Sequence, residues 1–201
     1  MRIFVMLFVL QLELAAALLK LITRLDMKHG LRADREAGGI LLAGCLIGAG
    51  FITCAHGREH PVIWMIYLIL TVYLTVCVIT DLQTCMVYDF LQLPAAAAGA
   101  VLCLLRPLPV SGGAALVCFA LLQYFLFMRL YGRGDGMAFQ VCSLFIIGAG
   151  GTLETLLLHM AAAFSLLGMV QLVKGNINRK GNLKTPVPFL PYIACGLLWF
   201  L

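Results

Sequence analysis

Two aspartates stand where apolar runs meet short polar breaks. Asp81 follows the run VCVIT, and Asp135 ends the tetrad Gly132-Arg133-Gly134-Asp135, between FLFMRLY and GMAF. A carboxylate beside a membrane-grade apolar run is costly, so it usually has a task. Singly, each acid has a plain structural explanation. Asp135 can cap a helix N-terminus, and Asp81 can be a solvated residue at a helix end. As a pair they offer more. Two carboxylates close enough to share one proton let one activate a water while the other, protonated, hydrogen-bonds the carbonyl under attack. Gly132, Gly134 and Gly136 carry no side chain, so an extended peptide could come close to Asp135. The Gly-x-Gly-Asp motif alone is weak, arising by chance on the order of once in twenty such chains.

Metal chemistry is not expected, nor is a cofactor. His56 and His60 supply two ligands, fewer than a metal wants. The eight cysteines contain no Cys-x-x-Cys pair, so no zinc ribbon or redox motif is formed. They read as small buried apolar residues. Glu13, Glu154 and His159 read as packing residues, because none has a partner acid or histidine in a second strong motif.

The elements that must hold the acids are membrane helices. Of the 201 residues, 63% are hydrophobic and 11% charged, against about 45–50% and about 25% in soluble domains. One soluble core cannot hide that much apolar surface, so the chain reads as an all-α polytopic membrane protein. Eight candidate spans emerge, at 3–22, 38–55, 61–80, 90–105, 111–131, 136–148, 152–173 and 187–201. The fourth, sixth and eighth are short for a hydrocarbon core of about 30 Å. The first carries Glu13 and leads into further spans, so it reads as a helix and not as a cleaved leader.

Eight spans with the amino terminus outside place eleven basic residues on one side: Lys20, Arg24, Lys28, Arg32, Arg35, Arg129, Arg133, Lys174, Arg179, Lys180 and Lys184. Three fall on the other, Arg2, Arg58 and Arg106. The richer side is expected to be cytoplasmic, and both Asp81 and Asp135 fall on it. The net charge of +5 is accounted for by these loops, so nucleic acid is not an expected partner. The bilayer is. An Arg-Gly-Asp triplet on a cytoplasmic loop has no adhesion role, so that reading is set aside.

Three segments in this order resemble the prepilin peptidase family, the aspartic proteases of type IV prepilins and archaeal preflagellins. They are VCVITDLQTCMVYDFLQLP, GRGD and KTPVPFLPYIACGLL. The first is similar to the family's aspartate at a helix end followed by a short polar loop. The second is its Gly-x-Gly-Asp, and the third resembles its proline-rich approach to the last helix. The resemblance covers residues 61–201, a six-helix membrane core, and leaves 1–60 as two accessory helices. It implies a membrane endopeptidase with Asp81 and Asp135 as the catalytic pair. The implied substrate is a prepilin-like protein whose basic leader is cut at the cytoplasmic face, after a glycine and before its apolar helix. Val87-Tyr88 stands where the family usually has Ile-Pro, and Met137 where it often has Lys. The long bacterial forms have a cysteine-bearing cytosolic loop linked to N-methylation. The loop at 23–37 has no cysteine, so cleavage without methylation is expected.

The Tyr88-Asp89 pair followed by Gly-x-Gly-Asp also resembles the presenilin and signal peptide peptidase enzymes, which would pair Asp89 with Asp135. Those families place that acid deep in a helix and carry a Pro-Ala-Leu motif, which this chain does not contain. Asp89 is expected in the polar loop, beside the substrate at most. A proton-coupled transporter is the rival from another class. Acids at one membrane face, and not near the midplane, count against it. A homologue that binds prepilins without cutting them is the third reading.

Overall fold

The computed structural model describes residues 1–25, 31, 34–125, 132–177 and 187–201, with side chains given up to residue 173 in the seventh helix. The end of the fifth expected span and most of the basic loop from Lys174 to Lys184 lie outside the described residues. Eight helices are described: α1 (Arg2–Leu25), α2 (Arg35–His56), α3 (Pro61–Thr84), α4 (Asp89–Leu105), α5 (Val110–Phe125), α6 (Arg133–Gly148), α7 (Leu153–Ile177) and α8 (Leu190–Phe200). Among the described residues there is no strand.

Four of these, α1, α2, α3 and α7, are long and apolar enough to cross a bilayer, while α4, α5 and α8 are shorter apolar helices. The outer surface is apolar as well: Leu93, Leu104, Val117, Leu172 and Trp199 are all exposed. Exposed apolar area on this scale needs lipid. The chain is an all-α polytopic membrane protein.

Local chemistry sets the helix ends. Asp34 caps α2, its carboxylate accepting the Ala37 N–H at 2.8 Å, as an N-cap acid does. Pro61 opens α3 after His60, where its missing N–H has no intrahelical partner to lose. At the far end of α3, Cys85 takes a left-handed conformation (φ 51°, ψ 35°) and its N–H returns to the Asp81 carbonyl at 2.8 Å. This is the single-bond left-handed cap usually given to glycine.

Two expectations need adjustment here. α3 runs to Thr84, so Asp81 lies inside its last turn and not at its end. Asp89 is not a loop residue: it heads α4, where an acid meets the positive end of the helix dipole.

α3 is the centre of the bundle, with Tyr67, Leu70, Tyr73, Cys77, Ile79 and Asp81 among its buried residues. A helix buried on all sides carries no polar face. α1 and α2 pack along it through small residues. A Cβ at Gly48 would stand 2.8 Å from Thr71 and 2.9 Å from Gln11, and the Gln11 amide donates to the Thr71 hydroxyl. α4 and α6 are also in close contact: a Cβ on Gly99 would lie 2.7 Å from Leu144 Cβ, and one on Gly148 would lie 2.9 Å from Leu102. Small residues that let backbones approach drive helix pairing in lipid. The cysteines depart from the expectation of burial. Cys45, Cys77 and Cys142 are buried, whereas Cys54, Cys118 and Cys195 are exposed on the outer surface.

At the end of the bundle away from the acids, Glu59 accepts hydrogen bonds from Arg106 and His56, tying the α2–α3 turn to the end of α4. Burial works to raise the Glu59 carboxyl, but these bonds outweigh it and hold it below its ordinary value of 4.5. A depressed acid stabilises the fold above its unfolded pKa, and the contribution is lost as pH falls through the folded value. Glu59→Gln should therefore lower the unfolding midpoint slightly at neutral pH. The two proteins should converge in acid, which parallel melts across pH would show.

Candidate active site

Asp81, Asp89 and Asp135 line one cleft of about 430 Å³, together with Cys85, Met86, Val87, Gly132, Arg133, Gly134 and Val187. Larger cavities of about 580 and 500 Å³ lie elsewhere and carry a single acid each, Glu154 and Asp34. The cleft is thus where carboxylates converge. It sits where α3 ends and α4, α6 and α8 begin.

The three acids are not equivalent. Asp81 is buried at 4% exposure, Asp135 is half-buried and Asp89 is exposed. The backbone N–H of Leu190, at the start of α8, donates to Asp81 Oδ2 at 2.8 Å. A helix N-terminus has free N–H groups and suits a carboxylate. This explains in physical terms what the proline-rich segment before α8 does. Pro191 in the first turn helps begin the helix, and that first turn fixes one oxygen of Asp81.

Asp135 is the third residue of α6 and accepts a hydrogen bond from the Gly132 N–H, half of a capping box. The structural explanation for Asp135 is therefore correct as far as it goes, yet the same carboxylate also lines the cleft. Asp89 begins α4 and lines the same cleft. Cys85, just past the end of α3, sees both of the others. Burial raises its thiol above the ordinary value of 9.0, and the charges of Asp81 and Asp135 push the same way.

The glycines divide. Gly132 and Gly134 line the cleft, while Gly136 is buried and is not among its lining residues. The close approach at Gly134 is to the chain itself, since a Cβ there would stand 3.1 Å from Val87 Cβ. The motif's second glycine thereby lets the α3–α4 loop lie against the start of α6. Gly134→Ala should push that loop outward by a few tenths of an ångström. If the cleft cuts peptides, kcat/KM should fall roughly tenfold, since small misplacements of reacting groups are costly. Thermal stability should change little, because residues 85–88 are a loop that can yield. Steady-state kinetics beside a melt would show the split.

Sequence reasoning missed the parts played by Cys85, Arg133, Val187 and Leu190. The proline-rich segment marked the approach to the last helix, but nothing in it named Leu190 as a donor to an acid placed 109 residues earlier. His159 stays structural, its Nε2 lying 3.0 Å from the Ile193 carbonyl and joining α7 to α8. Among the described residues no group of three or more His, Cys, Asp or Glu could hold a metal ion.

Fold and cleft together define a class: an all-helical polytopic membrane protein with converging carboxylates at one end of the bundle. Comparison with protein-family models, with curated proteins and with solved structures finds no match.

Proposed function

We propose that the chain is a membrane aspartic endopeptidase of the prepilin peptidase type, cutting the basic leader from prepilin-like precursors. The observation that carries this reading is the meeting of Asp81 and Asp135 in one cleft. The backbone N–H groups of Leu190 and Phe189 hold the Asp81 carboxylate, which acts as base on a water. Asp135, in its protonated form, hydrogen-bonds the substrate carbonyl, and neither step needs a metal. The exposed rim at Asp89 and Arg133 is where an extended leader would lie. The substrate's apolar helix stays in the bilayer and presents the bond next to it.

The two-part organisation has support of the same kind. Every residue lining the cleft comes from 81 onward, so residues 61–201 serve as the peptidase core and 1–60 as accessory helices. The charge asymmetry supports a cleft at the cytoplasmic face of the cell membrane. Cysteines introduced at Arg35 and Arg58 should label from opposite sides, cytoplasmic and external respectively. External labelling at Arg35 would remove both the topology and the substrate geometry.

Purified protein, in a bilayer and in the presence of EDTA, is the test. It should cut a precursor made of a basic leader, a glycine and an apolar helix, at the glycine. Binding without cutting would favour the non-catalytic reading. A pH-driven ion flux without cutting would favour the transporter. One observation keeps a second pairing in view: Asp89 lines the same cleft, as a presenilin-like use of Asp89 with Asp135 requires.

A further inference from the structure

α1 carries two polar residues near its middle, and they face opposite ways. Gln11 is buried at 1% exposure and hydrogen-bonded to Thr71. Glu13, two residues on and so about 200° around the helix, is exposed. The buried stripe of α1 is Leu7, Gln11, Ala15 and Ile22, and it packs on α2 and α3. Glu13 lies on the far side with Val9, Ala17 and Lys20, all exposed; Ala16, exposed too, lines a cavity with Lys20 and residues of α2.

Depth makes this costly. Glu13 is the twelfth of the 24 residues of α1, about 17 Å from either end at 1.5 Å per residue. A glutamate side chain cannot reach the headgroups from there. Among the described residues no cation pairs with it. A carboxylate at mid-membrane costs about 3 kcal/mol or more unless it is partnered, and such groups nearly always face protein. Lys20, seven residues along the same face, is about 10 Å nearer the helix end and belongs with the basic loop.

We propose that this face of α1 is an interface for a transmembrane helix of another membrane protein, one that carries a basic side chain at its own midplane. Charge complementarity selects the occupant. An anion in hydrocarbon needs a cation, whereas a second copy in the same orientation would bring Glu13 against Glu13. Ala17 lets the partner's backbone come close, as small residues do in membrane helix pairs. The interface lies on an accessory helix, away from the acid cleft, so it stands or falls apart from the peptidase reading.

The test uses the full-length protein in phosphatidylcholine bilayers and three synthetic leucine-rich transmembrane helices, identical except for Lys, Leu or Glu at the centre. Energy transfer between labelled protein and helix reads association. The lysine helix should associate several-fold more tightly than the leucine or glutamate helix. In Glu13→Leu that advantage should vanish, while the unfolding midpoint holds or rises because leucine suits lipid. No preference for the lysine helix in the wild type overturns the proposal, as does a preference that survives Glu13→Leu. Energy transfer between differently labelled copies of the protein, lost in Glu13→Leu, would also overturn it, by making a second copy the occupant.

Discussion

Asp81→Asn and Asp135→Asn are each expected to lower cleavage by about 10³-fold or more, as loss of a working acid or base does. Asn keeps the shape of the side chain and removes the ionisable proton. Folded yield should be near wild type for Asp135→Asn. In Asp81→Asn the amide oxygen can still accept the Leu190 N–H, so that variant should fold as well. Asp89→Asn should leave measurable activity, because Asp89 is exposed at the rim, whereas Asp81 is buried and held by the Leu190 N–H. Turnover of a prepilin-like precursor, measured for the three variants side by side, separates the pairings. A dead Asp89→Asn with an active Asp81→Asn would establish the presenilin-like pair. Wild-type turnover in all three would end the aspartic protease mechanism.

Much of this arrangement was legible in the residues. Long apolar runs with polar breaks located the eight described helices to within a few residues wherever their ends are described, because in lipid an apolar segment has little choice but a helix. The placement of Asp81 and Asp135 at one end followed from counting spans, since every second break faces the same side. What stayed hidden depends on contacts between distant segments. The left-handed turn at Cys85 carried no glycine to announce it, and the structure supplies no reason for a cysteine there. Gly134 looked like room for a substrate, whereas its nearest neighbour is Val87. Asp89 looked like a loop residue because the polar stretch from Gln83 to Asp89 has no periodicity to show where α4 begins. The direction in which Glu13 points was equally unreadable. It depends on which side of α1 meets α2 and α3, and a helix that is apolar nearly all round does not reveal this.

The second large effect concerns the scaffold and not the chemistry. α4 and α6 both begin at the cleft and run in the same direction away from it. Their register is set by Gly99 against Leu144 and Gly148 against Leu102, and the same packing sets Asp89 opposite the Gly-x-Gly-Asp turn. A Cβ on Gly99 would stand 2.7 Å from Leu144 Cβ and 3.1 Å from the Phe145 ring. A Cβ cannot rotate away, so the helices must separate. Gly99→Leu should cost about 3 kcal/mol by overpacking, well beyond the roughly 1 kcal/mol that replacing a helical glycine returns. Cleavage should fall with stability here, in contrast to the aspartate variants, which lose cleavage alone. The partner substitutions make the cause specific. Leu144→Ala should not rescue Gly99→Ala, because alanine keeps the clashing Cβ, whereas Leu144→Gly should. Unfolding free energies for that double-mutant cycle in bilayers decide the matter. Equal coupling with Leu144→Ala and Leu144→Gly would mean that the two helices do not meet at these atoms, and the register that places the acids would be wrong.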